Sequence, residues 1–285
     1  MLWKAPARGD ALQVRFWGVR GSVCTSGPHF VEFGGHTPCV EIRCGNRLLI
    51  IDAGTGLSAL GGELGHEAPA EIDILLSHLH LDHIGGLPFF KPALLGNRLI
   101  RLYCGNLAGV SAKEPLERIF SEPLFPVSLD QLPCTFDHVG FKAGETLDLD
   151  DGLIVRTQPL HHPGGSTGFR VDHRGRSVCY ISDIEHTAPW PPPELTRFIK
   201  DADLVIYDGM FSEEEYCACV GWGHSTWQKG IALAQAAGAK ALAIFHHHPS
   251  HEDDHLRRIE AAVRAEMPTA FLAREGQSVA YAPLD

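Results

Sequence analysis

The chain has 285 residues, with 24 Lys and Arg against 35 Asp and Glu, and its formal charge of −11 with histidine neutral disfavours a basic nucleic-acid coat or a polybasic membrane surface. At 44% hydrophobic and 21% charged residues it can bury an ample core and lacks the signature of a disordered chain. No window approaches the roughly 18 consecutive apolar residues of a membrane span. The opening Met1-Leu2-Trp3-Lys4-Ala5-Pro6 lacks a secretory apolar core, so a cytoplasmic location is expected.

Residues 11–17, 39–44 and 47–51 are short runs of apolar and branched residues that predict strands, and Gly45-Asn46 suits a hairpin turn between the last two. Asp52-Ala53-Gly54-Thr55-Gly56 then stops the sheet. Residues 72–76 are almost wholly apolar, which predicts a strand covered on both faces, and they run straight into Ser77-His78-Leu79-His80-Leu81-Asp82-His83. Residues 99–104 predict another strand and 109–120 a helix, whereas 122–131 holds too many prolines and turn formers for a regular element. Strands are expected at 153–157, 168–173, 177–181 and 204–207, the last ending at Asp208. Alanine-rich spacing over 225–236 predicts a helix stopped by Gly238. Residues 241–245 form a buried strand ending in His246-His247-His248. Ser250 and Asp253 are placed as cap and third residue of a helix to about Glu266, with Leu256, Ile259 and Val263 on one face. Residues 269–272 and 278–281 close the chain as strands. Two stacked sheets with helices outside would bury all these faces in one domain, residues 1–285.

The eight cysteines form no Cys-x-x-Cys pair, and Cys217 and Cys219, the closest two, are poorly spaced for a structural zinc knuckle. They read as reduced thiols. The 17 histidines carry more information, because they bunch at 78–83, 161–162 and 246–255, behind strands. In His78-x-His80-x-Asp82-His83, residues two apart in extended chain point the same way, so His78 and His80 can reach one ion. A turn toward helix would swing Asp82 and His83 to a second. Imidazoles and a carboxylate suit zinc, with iron or manganese also able to use them. The motif demands partners, and candidates stand where other expected strands end: His161-His162, Asp183 and His246.

His78-Leu79-His80-Leu81-Asp82-His83, preceded by Asp52-Ala53-Gly54-Thr55-Gly56, resembles the metallo-β-lactamase superfamily of metal-dependent hydrolases over essentially the whole chain. Three further stretches are similar to its phosphodiesterase branch: Phe16-Trp17-Gly18-Val19-Arg20-Gly21-Ser22, His162-Pro163-Gly164-Gly165-Ser166-Thr167-Gly168-Phe169-Arg170 and Gly221-Trp222-Gly223-His224-Ser225. That branch includes bacterial cyclic-nucleotide phosphodiesterases and, more distantly, endonucleases that trim tRNA 3′ ends. The resemblance implies an α+β fold, the αββα four-layer sandwich of two mixed sheets with helices on both outer faces. It implies two divalent ions: His78, His80 and His162 for one, Asp82, His83 and His246 for the other, and Asp183 bridging them. His162 is preferred to His161 because the family spacing places the ligand six residues before Gly168 and eight before Arg170. His246 is preferred to His247 and His248 because it comes first after the strand. His161, His247, His248 and His251 are then rim residues, residues that support the ligands from behind, or surface residues with no specific role. Asp208 is the rival to Asp183 as bridge; otherwise it accepts from a ligand imidazole, as Asp52 is also expected to do.

The implied reaction is hydrolysis of a small anionic phosphodiester, most concretely a 3′,5′-cyclic nucleotide, by a hydroxide held between the ions. Its pKa as water would fall from about 15.7 toward roughly 7. His224 is the candidate general acid or phosphate donor, at the expected start of a helix whose amides could add to an anion pocket. Only Asp82 and Asp183 bring negative charge to the assigned ligands, so a pair of divalent ions would leave the pocket attractive to anions despite the overall charge. Two departures from the phosphodiesterase pattern lie near the entrance: Cys24 where proline is common, and His248 where aspartate is common. No long basic insertion resembles a tRNA-grasping arm, so extended nucleic acid is disfavoured. Attack on a lactone, thioester or other carbonyl, an RNA-processing nuclease and a non-catalytic metal-binding sensor or scaffold are the competing readings. A homodimer is the default assembly.

Overall fold

The computed structural model describes residues 11–149 and 152–284. Six strands come first: β1 (Leu12–Gly18), β2 (Cys39–Cys44), β3 (Arg47–Ile51), β4 (Glu71–Leu76), β5 (Leu99–Cys104) and β6 (Thr135–Gly140). Seven more follow: β7 (Thr146–Asp148), β8 (Ile154–Leu160), β9 (Ser166–His173), β10 (Arg176–Ile181), β11 (Leu204–Asp208), β12 (Leu242–Phe245) and β13 (Ala270–Leu272). The last strand, β14 (Ser278–Tyr281), crosses back to the first sheet, giving seven-stranded orders β14-β1-β2-β3-β4-β5-β6 and β13-β12-β11-β10-β9-β8-β7. Both sheets are mixed. The pairs from β3 to β6 and from β10 to β13 are parallel, and the remainder are antiparallel.

The central strands are apolar on both faces, and alternate residues enter different cores. Leu49 and Ile51 of β3 meet Val178 and Tyr180 of β10, Leu204 and Ile206 of β11, and Ala243 and Phe245 of β12 in a core between the sheets. The intervening Leu48 and Ile50 face outward with Ile72, Ile74 and Leu76 of β4, covered by α1 (Gly56–Leu64), α2 (Leu81–Ile84), α3 (Lys91–Leu94) and α4 (Lys113–Ile119). On the other side, Cys179, Ile181, Val205, Tyr207, Leu242 and Ile244 are covered by α5 (Pro193–Phe198), α7 (Trp227–Ala237) and α8 (Asp253–Glu266); α6 (Glu213–Tyr216) lies between α5 and α7 in the chain. Three cores require four layers, so the αββα sandwich follows from the strand alternation. Each fully buried large apolar side chain contributes about 1.5–3 kcal/mol. No helix among the described residues is long and apolar enough to cross a membrane.

The expected helix at 109–120 contracts to α4. The last helix begins at Asp253, with Glu252 rather than Ser250 at its cap position. Asp253 instead turns its carboxylate to the amides of Val31, Glu32 and Phe33 at 2.9, 2.9 and 3.2 Å. Gly238 ends α7 as expected, at φ 67°. Strands β6 and β7 are additions: one is an edge strand of mixed polarity and the other only three residues long, so neither carries a strong apolar pattern.

Candidate metal centre

The ends of β3, β4, β8, β10, β11 and β12 deliver Asp52, His78, His162, Asp183, Asp208 and His246 to one rim of the sandwich. Asp52, Asp183 and His246 turn sharply out of their strands with φ of 61°, 58° and 61°. This left-handed conformation costs an L-residue roughly 1–2 kcal/mol and is tolerated best by Asp and Asn. The loop after β4 leads into α2, and that change from extended to helical chain carries Asp82 and His83 beside His246, while the His83 ring stays 4.3 Å from that of His78.

His78, His80 and His162 form one group of convergent ligand atoms, and Asp82, His83 and His246 another, each within 4.8 Å. Asp183 reaches both. Its Oδ1 lies 3.9 Å from the Nε2 atoms of His78 and His162 and 3.4 Å from His246 Nε2, while Oδ2 lies 3.3 Å from His83 Nε2. The Nε2 atoms of His78, His83 and His246 and Asp183 Oδ2 are all buried without a hydrogen-bond partner. Such a convergence of orphaned donor atoms is costly unless a cation can satisfy it. The residues present therefore fit a pair of divalent ions.

The surrounding hydrogen bonds set the imidazole tautomers. Asp52 Oδ2 accepts from His83 Nδ1 at 2.8 Å, the Tyr180 hydroxyl at 2.7 Å and the Ser77 hydroxyl at 2.9 Å; its Oδ1 accepts from the Ser77 amide at 2.7 Å. Since Ser77 spends its proton on Asp52, its oxygen accepts from His78 Nδ1 at 3.0 Å. His162 Nδ1 donates to the Gly223 carbonyl at 2.7 Å. In each ring the Nε2 lone pair is thus aimed at the cluster. Asp82 accepts from the Ser22 amide at 2.8 Å, which ties the first motif to the second.

Burial lowers His78, His80 and His162 below the ordinary imidazole value and keeps them neutral. The opposite holds across Asp183. Burial opposes charge on His83 and His246, but Asp183 with Asp82 and other carboxylates outweighs it, raising His83 and bringing His246 to about 9. Burial would likewise raise Asp82 and Asp183; the neighbouring imidazoles reverse this and hold both well below the usual carboxylate range. This half of the cluster demands positive charge, a demand that cations meet.

His224 stands beside the cluster, its ring stacked 4.8 Å from that of His246. Its Nδ1 donates to Asp208 Oδ2 at 2.9 Å, and the same oxygen accepts from the Asp183 amide at 3.1 Å. Asp208 therefore orients His224, whereas Asp183 is the carboxylate placed between the histidine sets. His224 does not open a helix: α7 begins at Trp227, and its cap Thr226 accepts from the Lys229 amide. Ser225 is held instead by the Tyr207 hydroxyl at 2.8 Å. The anion pocket thus loses the expected helix-start amides.

Two glycines explain the flanking motifs. A Cβ on Gly21 would lie 2.4 Å from His246 Nδ1, and one on Gly223 would lie 2.4 Å from His162 Nδ1. Glu185, absent from the sequence expectations, accepts from the amides of Gly221 and Gly223 at 2.5 and 3.0 Å and from the Tyr216 hydroxyl at 2.8 Å. Tyr180 was equally hidden, reading as one more apolar strand residue. Of the remaining histidines, His247 is buried and donates to the Ala273 carbonyl at 2.8 Å, while His161 points outward.

A family model for the beta-lactamase superfamily domain matches residues 47–248. Ribonuclease Z of Mycobacterium marinum is 26% identical over 242 residues, covering 75% of this chain and 80% of that protein. Among solved structures, the metallo-beta-lactamase fold protein YhfI from Bacillus subtilis superposes with a TM-score of 0.73 at 19% identity, covering 95% of this chain and 100% of that one. A diphosphatase from the PhnP family gives 0.68 at 18% identity, covering 95% and 97%. Both structures establish likeness of fold. With the family model matched across both sheets and the His and Asp side chains gathered at their shared rim, the chain belongs to the beta-lactamase superfamily and is a hydrolase of its metallo-β-lactamase type, a fold that implies divalent metal ions.

Proposed function

We propose that this hydrolase is a phosphodiesterase acting on small anionic phosphodiesters, 3′,5′-cyclic nucleotides being the leading class. The observation that carries the reading is Asp183 between two histidine sets, with the His224–Asp208 pair directly alongside. His78, His80 and His162 would hold one divalent ion and Asp82, His83 and His246 the other, with Asp183 shared. Such ions supply water acidified toward a pKa of about 7 and positive charge for a phosphoryl oxygen.

The chain's own side chains do the rest. His224 commits Nδ1 to Asp208, which leaves Nε2 to hydrogen-bond a phosphoryl oxygen or protonate the leaving ribose oxygen as its bond to phosphorus breaks. Asp208, accepting from Nδ1, fixes the orientation of the ring, in the manner of a carboxylate behind a catalytic histidine. Asp52 fixes His83, and Glu185 fixes His162 through Gly223. A cleft of about 570 Å³, lined in part by Phe30, His36, Thr55, Phe89 and Glu275, includes Gly85 and Gly86, which directly follow α2. Its size suits a nucleoside-sized group.

A second reading, an RNA-processing nuclease, is favoured by relatives named ribonuclease Z. The overall charge of −11 favours the small substrate. Protein of measured metal content should be assayed in parallel on cyclic nucleotides, an aryl phosphodiester, structured RNA, a lactone and a thioester. Preferential hydrolysis of the first two is expected. Preference for RNA would establish the second reading, and preference for a carbonyl ester would overturn both.

A further inference from the structure

Outside the Asp183 cluster, one other group of ligand-bearing side chains converges among the described residues. Glu215 of α6, His251 in the loop before α8 and His255 in the first turn of α8 offer one ligand atom each, all within 4.8 Å of one another. His251 Nε2 donates to Glu215 Oε1 at 2.7 Å, and the two histidine rings lie 4.2 Å apart between centroids. His251 is only 5% exposed, and its Nδ1 is buried without a partner.

These side chains are held before any ligand arrives. Glu215 gives Oε2 to the Ser212 amide at 2.7 Å as part of a capping box, which directs Oε1 toward His251. The His251 carbonyl accepts from buried Arg20 at 2.6 Å, and the His251 amide donates to the His248 carbonyl at 2.9 Å. His255 is anchored by its amide to the Glu252 carbonyl at 2.9 Å.

We propose that Glu215, His251 and His255 form a third metal site, binding one zinc-like divalent cation and clamping α6 to the start of α8. Two imidazoles and a carboxylate are a recognised zinc donor set, leaving a fourth position open. Bonds of about 2.0–2.2 Å require tetrahedral ligand atoms about 3.3–3.6 Å apart. His255, partly exposed, is the side chain free to close the wider separation. The cation takes the place of the proton that His251 Nε2 gives to Glu215 Oε1, and the ring stays neutral by carrying that proton on Nδ1 instead, so no net proton is lost. The clamp bears on the catalytic wall through Tyr216, which follows Glu215 in α6 and donates to Glu185.

The test is metal counting on the full chain, equilibrated with zinc and freed of unbound ion. The expected result is three equivalents in the unsubstituted protein and two in both Glu215→Gln and His255→Ala. Glu215→Gln keeps an oxygen for the helix cap, so loss of its third equivalent reports on ligation. Added zinc should also raise the thermal midpoint of the unsubstituted protein above that of either variant. Two equivalents in the unsubstituted protein overturn the proposal. So do three in either variant, or fewer than two, which would place the loss in the Asp183 cluster.

Discussion

At the residue scale, the site divides its labour between side chains that face the cluster and side chains that aim them. Asp52 gathers four hydrogen bonds from Ser77, His83 and Tyr180, and thereby sets two imidazole tautomers. His224 faces the cluster but is committed through Nδ1 to Asp208. His224→Ala is therefore expected to keep two metal equivalents in the Asp183 cluster while lowering kcat by about 10²–10⁴. Elemental analysis beside steady-state kinetics checks this, and loss of those metals would contradict the role. Asp183 serves both histidine sets, so Asp183→Asn is expected to weaken both ions by about tenfold or more, within the range seen when metal-site partners are lost. Chelator competition measures it, and unchanged affinity at both sites would remove the bridge. His78, His80, Asp82 and His83 were legible because they fall within six positions of a strand-to-helix turn. Glu185 and Tyr180 were not, because their roles exist only once distant segments meet.

At the scale of elements, strands of both sheets end at a common rim, and the candidate ligands are residues that follow those ends. That pattern was legible wherever the strand was apolar and buried, as in β2, β3 and β5, whose expected and observed bounds coincide. It gave no expectation for α1, whose nine residues include Gly56, Gly61 and Gly62, nor for the half-exposed edge strand β6. Both elements are chosen by packing more than by local preference. The opposite end of the second sheet has its own fastening. Asp203, 2% exposed, accepts from Arg176 and Lys240 at 2.9 Å each and from the Ser177 amide at 2.9 Å. Burial would raise its pKa, but Lys240, the Ser177 amide and Arg176 outweigh it and lower it. A carboxylate depressed in the fold stabilises above its unfolded value of about 3.9 and loses that contribution as pH falls through the folded value. Asp203→Ala should cost about 1–3 kcal/mol at pH 7 by denaturant titration. The difference from the parent should shrink below about pH 4; a gap that grows in acid would contradict the assignment.

At the scale of the whole molecule, the candidate centre joins the two halves of the sandwich. His78, His80, Asp82 and His83 follow the first sheet, and His162, Asp183 and His246 follow the second. Ions bound there cross-link the layers and favour the folded state alone. At a free metal concentration of 100 times Kd, each such site stabilises by about 2.7 kcal/mol. Chelation is expected to lower the thermal midpoint by about 5 °C or more, followed by calorimetry; an unchanged midpoint would mean that no ion links the sheets. The net charge of −11 says little about this rim, where the field is set locally.

Anomalous scattering from crystals grown with zinc, recorded at the zinc edge, puts the metal pair to the most direct test. The account predicts two peaks sharing Asp183, one against His78, His80 and His162 and the other against Asp82, His83 and His246. A single peak at Asp183, or none, would contradict it.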